Sequence, residues 1–438
     1  MSYEYFHEEM KKLLQDEYPA FVECEKHPMY HGIRINTLKT DEAFLIANGF
    51  ELNERSAFDK DTFYLDINMK LGNHPFHSCG LYYLQEPSAA SVVNAGDIKE
   101  GDWVLDMCAA PGGKSTSILS HLNNTGFLWS NEYVSGRSQI LLSNIERWGS
   151  DNYIISNCDT SLLSETLYGL FDKVFIDAPC SGAAMFKKYP DTVNDYNLAS
   201  EMACQKRQLE ILENGYKCLK ENGILIYSTC TYNTIENEDV IRIFTERHPD
   251  MEIVPTGLTF LRSGFGMAEA SRIFPMDKGE GHFICKLIRK SANDKASLKM
   301  LPYSKNRIVD DFIKDNYLKA FNYTVKDDKV YFSSQPLFQW KGRIVRQGIL
   351  IGEIRKNRFE PAHHGYMSIY LKDIHKQKVE LSNTEAETFL RGESVQLRDV
   401  KGYAALTYKG HIIGFGKGDN RQIKNHFPKG LRFSGDLD

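Results

Sequence analysis

The spacing of apolar positions changes several times along the chain. Residues 5–14 space their apolar side chains as an amphipathic helix does, and 32–39 alternate as a strand does. The middle is more regular. Short apolar runs at 103–107, 127–131, 153–155, 173–176, 223–228 and 282–288 predict strands, and 115–122, 135–147 and 198–219 have helical spacing. Unbroken apolar runs alternating with helices predict an α/β domain built on a mainly parallel sheet with helices on both faces. A polar stretch at 291–299 reads as a linker. Beyond it come short strand-like pieces at 330–332, 349–354, 395–397, 403–408 and 411–415, with Lys409-Gly410 as a hairpin turn. The expected division is 1–95, an α+β segment; 96–291, the α/β domain; and two β-rich modules, 300–372 and 373–438.

Composition narrows the class. With 438 residues, 42% hydrophobic and 25% charged, the chain has material for several cores. No apolar run approaches the roughly 18 residues needed to span a bilayer. The start of the chain is acidic and lacks an apolar signal core, so the expected location is the cytoplasm. Nine cysteines without a Cys-x-x-Cys pair fit reduced thiols better than a disulfide or zinc framework. The pairs His27/His31 and His363/His364, and the set His74, His77 and Cys79, match no zinc spacing, so no metal is expected. The net charge of −5 hides an uneven distribution: 291–438 holds 26 Lys and Arg against 17 Asp and Glu, or +9, which leaves −14 on the rest. A basic appendage on an acidic body is either a polyanion grip or a solvated surface.

The candidate chemistry starts at Asp106-Met107-Cys108-Ala109-Ala110-Pro111-Gly112-Gly113-Lys114-Ser115, between a predicted strand and a predicted helix. Small residues there let backbone N–H groups approach a ligand. A P-loop would need glycine where Cys108 stands, and a dinucleotide turn needs more than Gly112-Gly113. S-adenosylmethionine is the third candidate. Glu132, 20 residues after Gly112, ends the next strand at the spacing of a ribose-binding acid, and Asp159 follows the third. Two cysteines also follow strands, in Asp177-Ala178-Pro179-Cys180 and Ser228-Thr229-Cys230. A thiolate in a polar crevice suits nucleophilic attack. Adding it to carbon 6 of a pyrimidine makes carbon 5 nucleophilic enough to take a methyl group.

These motifs resemble those of the NOL1/NOP2/Sun family of RNA 5-methylcytosine methyltransferases, most of all the bacterial RsmF type, which acts on 16S ribosomal RNA. The likeness is carried by 34–39, Tyr83-Leu84-Gln85-Glu86-Pro87-Ser88, the glycine turn, Asn131-Glu132 with Arg137 and Asn144, Asn157-Cys158-Asp159 and both cysteine motifs. It implies a Rossmann-like seven-stranded S-adenosylmethionine methyltransferase domain, an N-terminal RNA-binding segment and a C-terminal PUA-like region. The cofactor set it implies is Cys108, Ala109, Ala110, Pro111, Gly112, Gly113, Lys114, Glu132, Arg137, Asp159 and Asp177. The catalytic set is Cys230 as nucleophile on carbon 6, Cys180 in release of the adduct, Asp177 against the target base, and Lys114. One departure stands out: Ala183-Ala184 replace the acid and glycine that often precede Met185-Phe186.

The resemblance implies methylation of cytosines in small-subunit RNA by a monomer. Transfer RNA as substrate and a catalytically silent RNA-binding protein are the alternatives. Because a base inside a duplex cannot meet both a thiolate and a methyl donor, it must be unstacked, and cations and aromatics should line its approach. Arg34, Lys39, Lys187 and Lys188 are candidates near the site. In the tail the candidates are Lys341, Arg343, Arg346, Arg355, Lys356, Arg358, Arg421 and Lys424, interleaved with Phe338, Trp340, Phe359 and Phe427.

Overall fold

The computed structural model describes residues 2–66, 68–292, 294–396 and 399–433. Twelve strands organise the first two-thirds. β1 (His31–Ile35), β2 (Thr62–Leu65) and β3 (Tyr82–Gln85) form a small antiparallel sheet with β1 central. β4 (Trp103–Asp106), β5 (Phe127–Asn131), β6 (Tyr153–Ser156), β7 (Phe171–Asp177) and β8 (Leu219–Thr229) run parallel in the order β6-β5-β4-β7-β8. β9 (Met251–Val254), β10 (Arg262–Gly264), β11 (Met267–Ile273) and β12 (His282–Arg289) add antiparallel partners beyond β8.

The middles of the parallel strands are apolar because both faces are covered. Leu105, Trp129, Val174, Ile176 and Leu225 face the helices Leu198–Cys218 and Glu238–Arg247. Val104, Leu128, Phe175 and Ile226, one residue out of step, face Gly113–Leu122 and Ser135–Trp148. The order reverses at β4, whose neighbours are β5 and β7, so a ligand crevice is expected at its carboxyl end.

Three findings depart from the sequence expectations. The sheet has ten strands rather than seven: β9 and β10 add to it beside β12 and β11, and Ile344–Gln347 from the tail pairs antiparallel with β6 and covers its open edge. The alternation over 32–39 ends at Ile35: the Asn36 amide donates to the Gly80 and Trp148 carbonyls, and a turn follows. Within the expected linker Ala296 is pinned: it is buried and its N–H donates to the Tyr168 carbonyl, while residues 294, 295, 297 and 299 are exposed.

The tail forms two four-stranded sheets. Thr324–Lys326, Lys329–Phe332, Ile349–Arg355 and Arg358–Pro361 make the first; Lys378–Leu381, Lys401–Tyr408, His411–Asp419 and Ile423–Asn425 make the second. Lys409 and Gly410 at φ 49° and 81° make the expected hairpin turn. Of the run at 395–397, Val395 bridges Ile423, while Leu397 lies outside the described residues. The second tail sheet packs on the N-terminal one, so Ile33, Ile35, Leu45, Phe76 and Tyr82 share a core with Phe389, Leu390, Leu406 and Ile413.

Candidate active site

The glycine turn lies at the switch point, where β4 hands the chain to the helix Gly113–Leu122. Gly112 sits at φ 116°, and a Cβ there would meet Leu141 Cδ1 at 3.2 Å, which explains why the turn carries glycine. Side chains brace the loop from behind. Arg137 donates to the Ala110 carbonyl at 2.7 Å, and Asn144 to that of Pro111 at 2.8 Å. The Ala109 N–H donates to the Asn131 carbonyl at 2.9 Å. Ala109, Ala110 and Gly112 are buried, Cys108 and Gly113 half-buried, and Pro111 exposed.

Glu132 follows β5, with its side chain buried at 3% exposure. It accepts from the Val134 N–H at 2.8 Å and faces Arg137 at 3.5 Å. Asp159 is exposed and caps the helix Thr160–Thr166 by accepting from the Ser161 N–H. Asp106 is fully buried: Ser115 donates to Oδ2 at 2.7 Å, while Oδ1 has no hydrogen-bond partner. Burial outweighs the Ser115 bond and raises its pKa to about 7. Burial likewise raises the Cys108 thiol, so it is a neutral wall of the turn.

Across the crevice, β7 and β8 deliver the other groups. Asp177 Oδ2 accepts from Lys114 Nζ at 2.8 Å, and Oδ1 from the Ser228 hydroxyl at 2.9 Å. Burial opposes ionisation of Asp177, but Lys114, the nearby His282 and these hydrogen bonds together prevail and lower its pKa. Burial also opposes the Lys114 charge, and Asp177 outweighs it, raising the ammonium. The pair is therefore a carboxylate and an ammonium at neutral pH.

Cys180 and Cys230 stand with their sulfurs 3.4 Å apart. The hydrogen bond with Cys230, then burial, pushes the Cys180 thiol well above its ordinary pKa. The loop after each cysteine is anchored to Glu236, which accepts from the Ser181 N–H at 2.9 Å, from the Asn233 amide at 2.8 Å and from Gln208 at 2.9 Å. Arg272, 1% exposed, pairs with Glu238 at 2.6 Å and donates to the Tyr232 carbonyl, also at 2.6 Å.

A cavity of about 350 Å³ opens beside these loops, lined by Phe6, Phe21, Phe186, Lys187, Tyr232 and Glu280 among others. Ala183 and Ala184 form part of its wall and pack in one cluster with Phe6, Met10, Phe21 and Tyr232. The small pair thus makes room for the N-terminal helices Ser2–Leu14 and Tyr18–Glu25. Lys187 reaches Glu280 at 3.4 Å, and Lys188 is exposed beside Tyr189.

Several residues expected at an RNA surface are used inside the fold. Arg34 is 2% exposed, donates to the Gly113 carbonyl and to Thr116, and lies over Trp148. Lys39 donates to the Cys79 and Arg147 carbonyls. Phe338, Phe359 and Phe427 are buried, Trp340 is edge-on to Trp129, and Arg346 pairs with Glu146. Arg355 and Arg358 are exposed but paired with Glu353 and Glu360; Lys341, Lys356, Arg421 and Lys424 remain exposed.

Sequence reasoning missed Ser228, Glu236 and His282. Ser228 and Glu236 flank Cys230 closely enough in sequence to have been noticed. His282, near Lys114 and Asp177 and in contact with Ser88 at 3.1 Å, carries no local signal. Among the described residues no group of three or more His, Cys, Asp or Glu could hold a metal ion. Among the same residues no helix is long and apolar enough to cross a membrane.

A Rossmann-like sheet with a braced glycine turn at its switch point, facing two thiols at neighbouring strand ends, defines a methyltransferase class. Comparison with known proteins agrees. Residues 94–288 match the family described as 16S rRNA methyltransferase RsmB/F. Residues 4–87 match the N-terminal domain of 16S rRNA methyltransferase RsmF, 311–369 the RsmF first C-terminal domain, and 376–433 the RsmF PUA domain. Ribosomal RNA small subunit methyltransferase F of Vibrio campbellii is 31% identical, with 93% of this chain and 92% of the relative aligned. The protein of the same name from Psychromonas ingrahamii is 30% identical over 94% and 92%. A methyltransferase homologue from Pyrococcus horikoshii superposes with a TM-score of 0.56 at 28% identity, covering 64% of this chain and 93% of that one. NSun6 from the same organism, solved with SFG, shares the fold at a TM-score of 0.58 and 20% identity, over 66% of this chain and 98% of its own. The chain belongs to the RsmF family of 16S rRNA methyltransferases.

Proposed function

We propose that this protein methylates carbon 5 of cytosines in small-subunit (16S) ribosomal RNA, with S-adenosylmethionine as donor, through a transient bond between Cys230 and carbon 6. The observation that carries the reading is the pair of thiols 3.4 Å apart, beside the crevice of the Lys114–Asp177 ion pair. The residues fit the donor. Gly112 allows close approach, the buried Glu132 stands where ribose hydroxyls need an acceptor, and Asp106 Oδ1 is a buried oxygen without a partner. Cys108 to Lys114, Glu132, Arg137, Asp159 and Asp177 would hold it, with Asp159 at the adenine end, and it supplies an electrophilic methyl group.

The protein's own groups do the rest. Cys230 gives up its thiol proton to solvent, its Sγ forms a bond to carbon 6 of the cytosine, and the 5,6 double bond's electron pair moves into the ring. Lys114, through Asp177, supplies a proton to N3, which stabilises that charge. Carbon 5 then takes the methyl group. The N3 proton returns to the Asp177–Lys114 pair. As the carbon 6–sulfur bond breaks, the Cys180 thiol hands its proton to the departing Cys230 sulfur 3.4 Å away, and the Cys180 thiolate so formed takes up the carbon 5 proton. The raised pKa of Cys180 keeps it a protonated thiol until that exchange.

The aromatic cavity under the N-terminal helices, with Lys187 in its lining, supports this reading by offering rings on which unstacked nucleotides flanking the target can stack. The partner is ribosomal RNA or the small subunit. One copy suffices, because a single chain carries both thiols and the whole turn. Nine free cysteines suit the reducing cytoplasm. Transfer RNA is the competing substrate, and the substrate named for the curated relatives favours the ribosomal one.

The test is transfer of labelled methyl to small-subunit RNA and to transfer RNA, with bisulfite mapping of ribosomal RNA from cells lacking the protein. Label as 5-methylcytosine in small-subunit RNA, abolished by Cys230→Ala while S-adenosylhomocysteine still binds, is expected. Label confined to transfer RNA, or turnover by Cys230→Ala, would overturn the reading.

A further inference from the structure

We infer that the first C-terminal module completes the cofactor pocket, with Arg343 as a positioning residue that acts on the Glu132 end through Asn157. The inference rests on the proposed S-adenosylmethionine site.

The strand Ile344–Gln347 adds to the edge of β6, with Ile344 opposite Ser156. It is held there from beneath: Phe338 packs against Trp103 and Phe127, and Trp340 lies 5.1 Å from Trp129 while its indole N–H donates to Thr166 at 2.9 Å. The residue before this strand reaches the carboxyl end of β6, the edge on which open α/β sheets bind ligands. Arg343 accepts from the Asn157 N–H at 3.0 Å through its carbonyl, and its guanidinium donates to Asn157 Oδ1 at 3.0 Å.

With Oδ1 engaged, the Asn157 amide turns its N–H bonds to the Glu132 carbonyl at 2.7 Å and the Tyr133 carbonyl at 2.8 Å. These carbonyls fix the chain directly around the acid meant for ribose. Strand addition alone would only cover an edge. Here the added segment also sets the rotamer of an amide that holds the pocket wall, so a module outside the catalytic domain acts on cofactor affinity. Arg343 is exposed, so its loss leaves the core intact.

Calorimetric titration of the full-length wild type, Arg343→Ala and Arg343→Lys with S-adenosylhomocysteine tests this. Arg343→Ala should bind about three- to tenfold more weakly, and Arg343→Lys, which keeps a cationic donor, should recover most of the loss. In steady state the KM for S-adenosylmethionine should rise, with kcat and the KM for RNA unchanged. Hydrogen exchange at 344–347 in the wild type should slow when S-adenosylhomocysteine is added. Equal affinities across the variants, or a raised KM for RNA with an unchanged one for the cofactor, would overturn the inference. Failure of the wild type itself to bind S-adenosylhomocysteine would instead overturn the parent reading.

Discussion

Arg34 shows how a cation near the site motifs can belong to the scaffold. Its guanidinium is buried, stacked 4.8 Å from the Trp148 ring, and bonded to the Gly113 carbonyl and the Thr116 hydroxyl. It therefore clamps the start of the helix that follows the glycine turn. Arg34→Ala should lower unfolding free energy by about 3 kcal/mol in denaturant titration and weaken S-adenosylhomocysteine binding. Arg34→Lys should recover little, because a point charge cannot make the same fork of bonds. Unchanged stability with a raised KM for RNA alone would return Arg34 to the RNA surface. The sequence placed Cys180, Cys230, Asp177 and Glu132 at strand ends, where the structure has them, because these motifs sit close to their strands. It did not hold the burial of Arg34 or the inward turn of Lys39 and Trp340, which depend on hydrogen-bond partners 40 to 174 residues away in the chain.

At the scale of elements, periodicity located β4 to β8 within a few residues, since strands covered on both faces leave continuous apolar runs. The additions to the sheet were illegible for the converse reason: Ile344–Gln347 is short, half polar and defined by pairing with a distant edge. The N-terminal helix Ser2–Leu14 packs over the catalytic loops through a carboxyl cluster. Tyr196 donates to Glu9 at 2.6 Å and Tyr5 to Glu201 at 3.0 Å, with Glu236 nearby. Burial, opposed by the Tyr196 bond and reinforced by Glu201 and Glu236, raises Glu9 to about 7. The unfolded chain then loses this proton first, so stability falls as pH rises from the ordinary carboxyl range, about 4.3, toward 7, and flattens above it. Asp106, also raised to about 7, adds to the same slope, so Glu9→Gln should make it shallower without abolishing it in denaturant titrations at both ends of the range. Identical slopes in the two proteins would show that docking of this helix is not linked to the proton.

For the whole molecule, the split of −14 and +9 becomes an acidic catalytic body bearing a basic tail. The tail is not a tethered appendage. Its first module enters the catalytic sheet at β6, and its last shares a core with the N-terminal sheet. Several tail residues that looked like an RNA grip are the packing that joins these parts: Phe338 and Trp340 lie on the catalytic sheet, and Arg346 pairs with Glu146. The exposed cations Lys188, Lys341, Lys356, Arg421 and Lys424 remain available for phosphate contacts, whereas Lys187 is engaged by Glu280.

The central claim is a covalent bond between this chain and a cytosine of small-subunit RNA, made by one thiol and resolved by its neighbour. Cys180→Ala, mixed with small-subunit RNA and S-adenosylmethionine and run on a denaturing gel, measures it most directly. A retarded protein–RNA band that disappears in the Cys180→Ala/Cys230→Ala double variant is the predicted result. Free methylated RNA released at the wild-type rate, or a band that survives loss of Cys230, would contradict it.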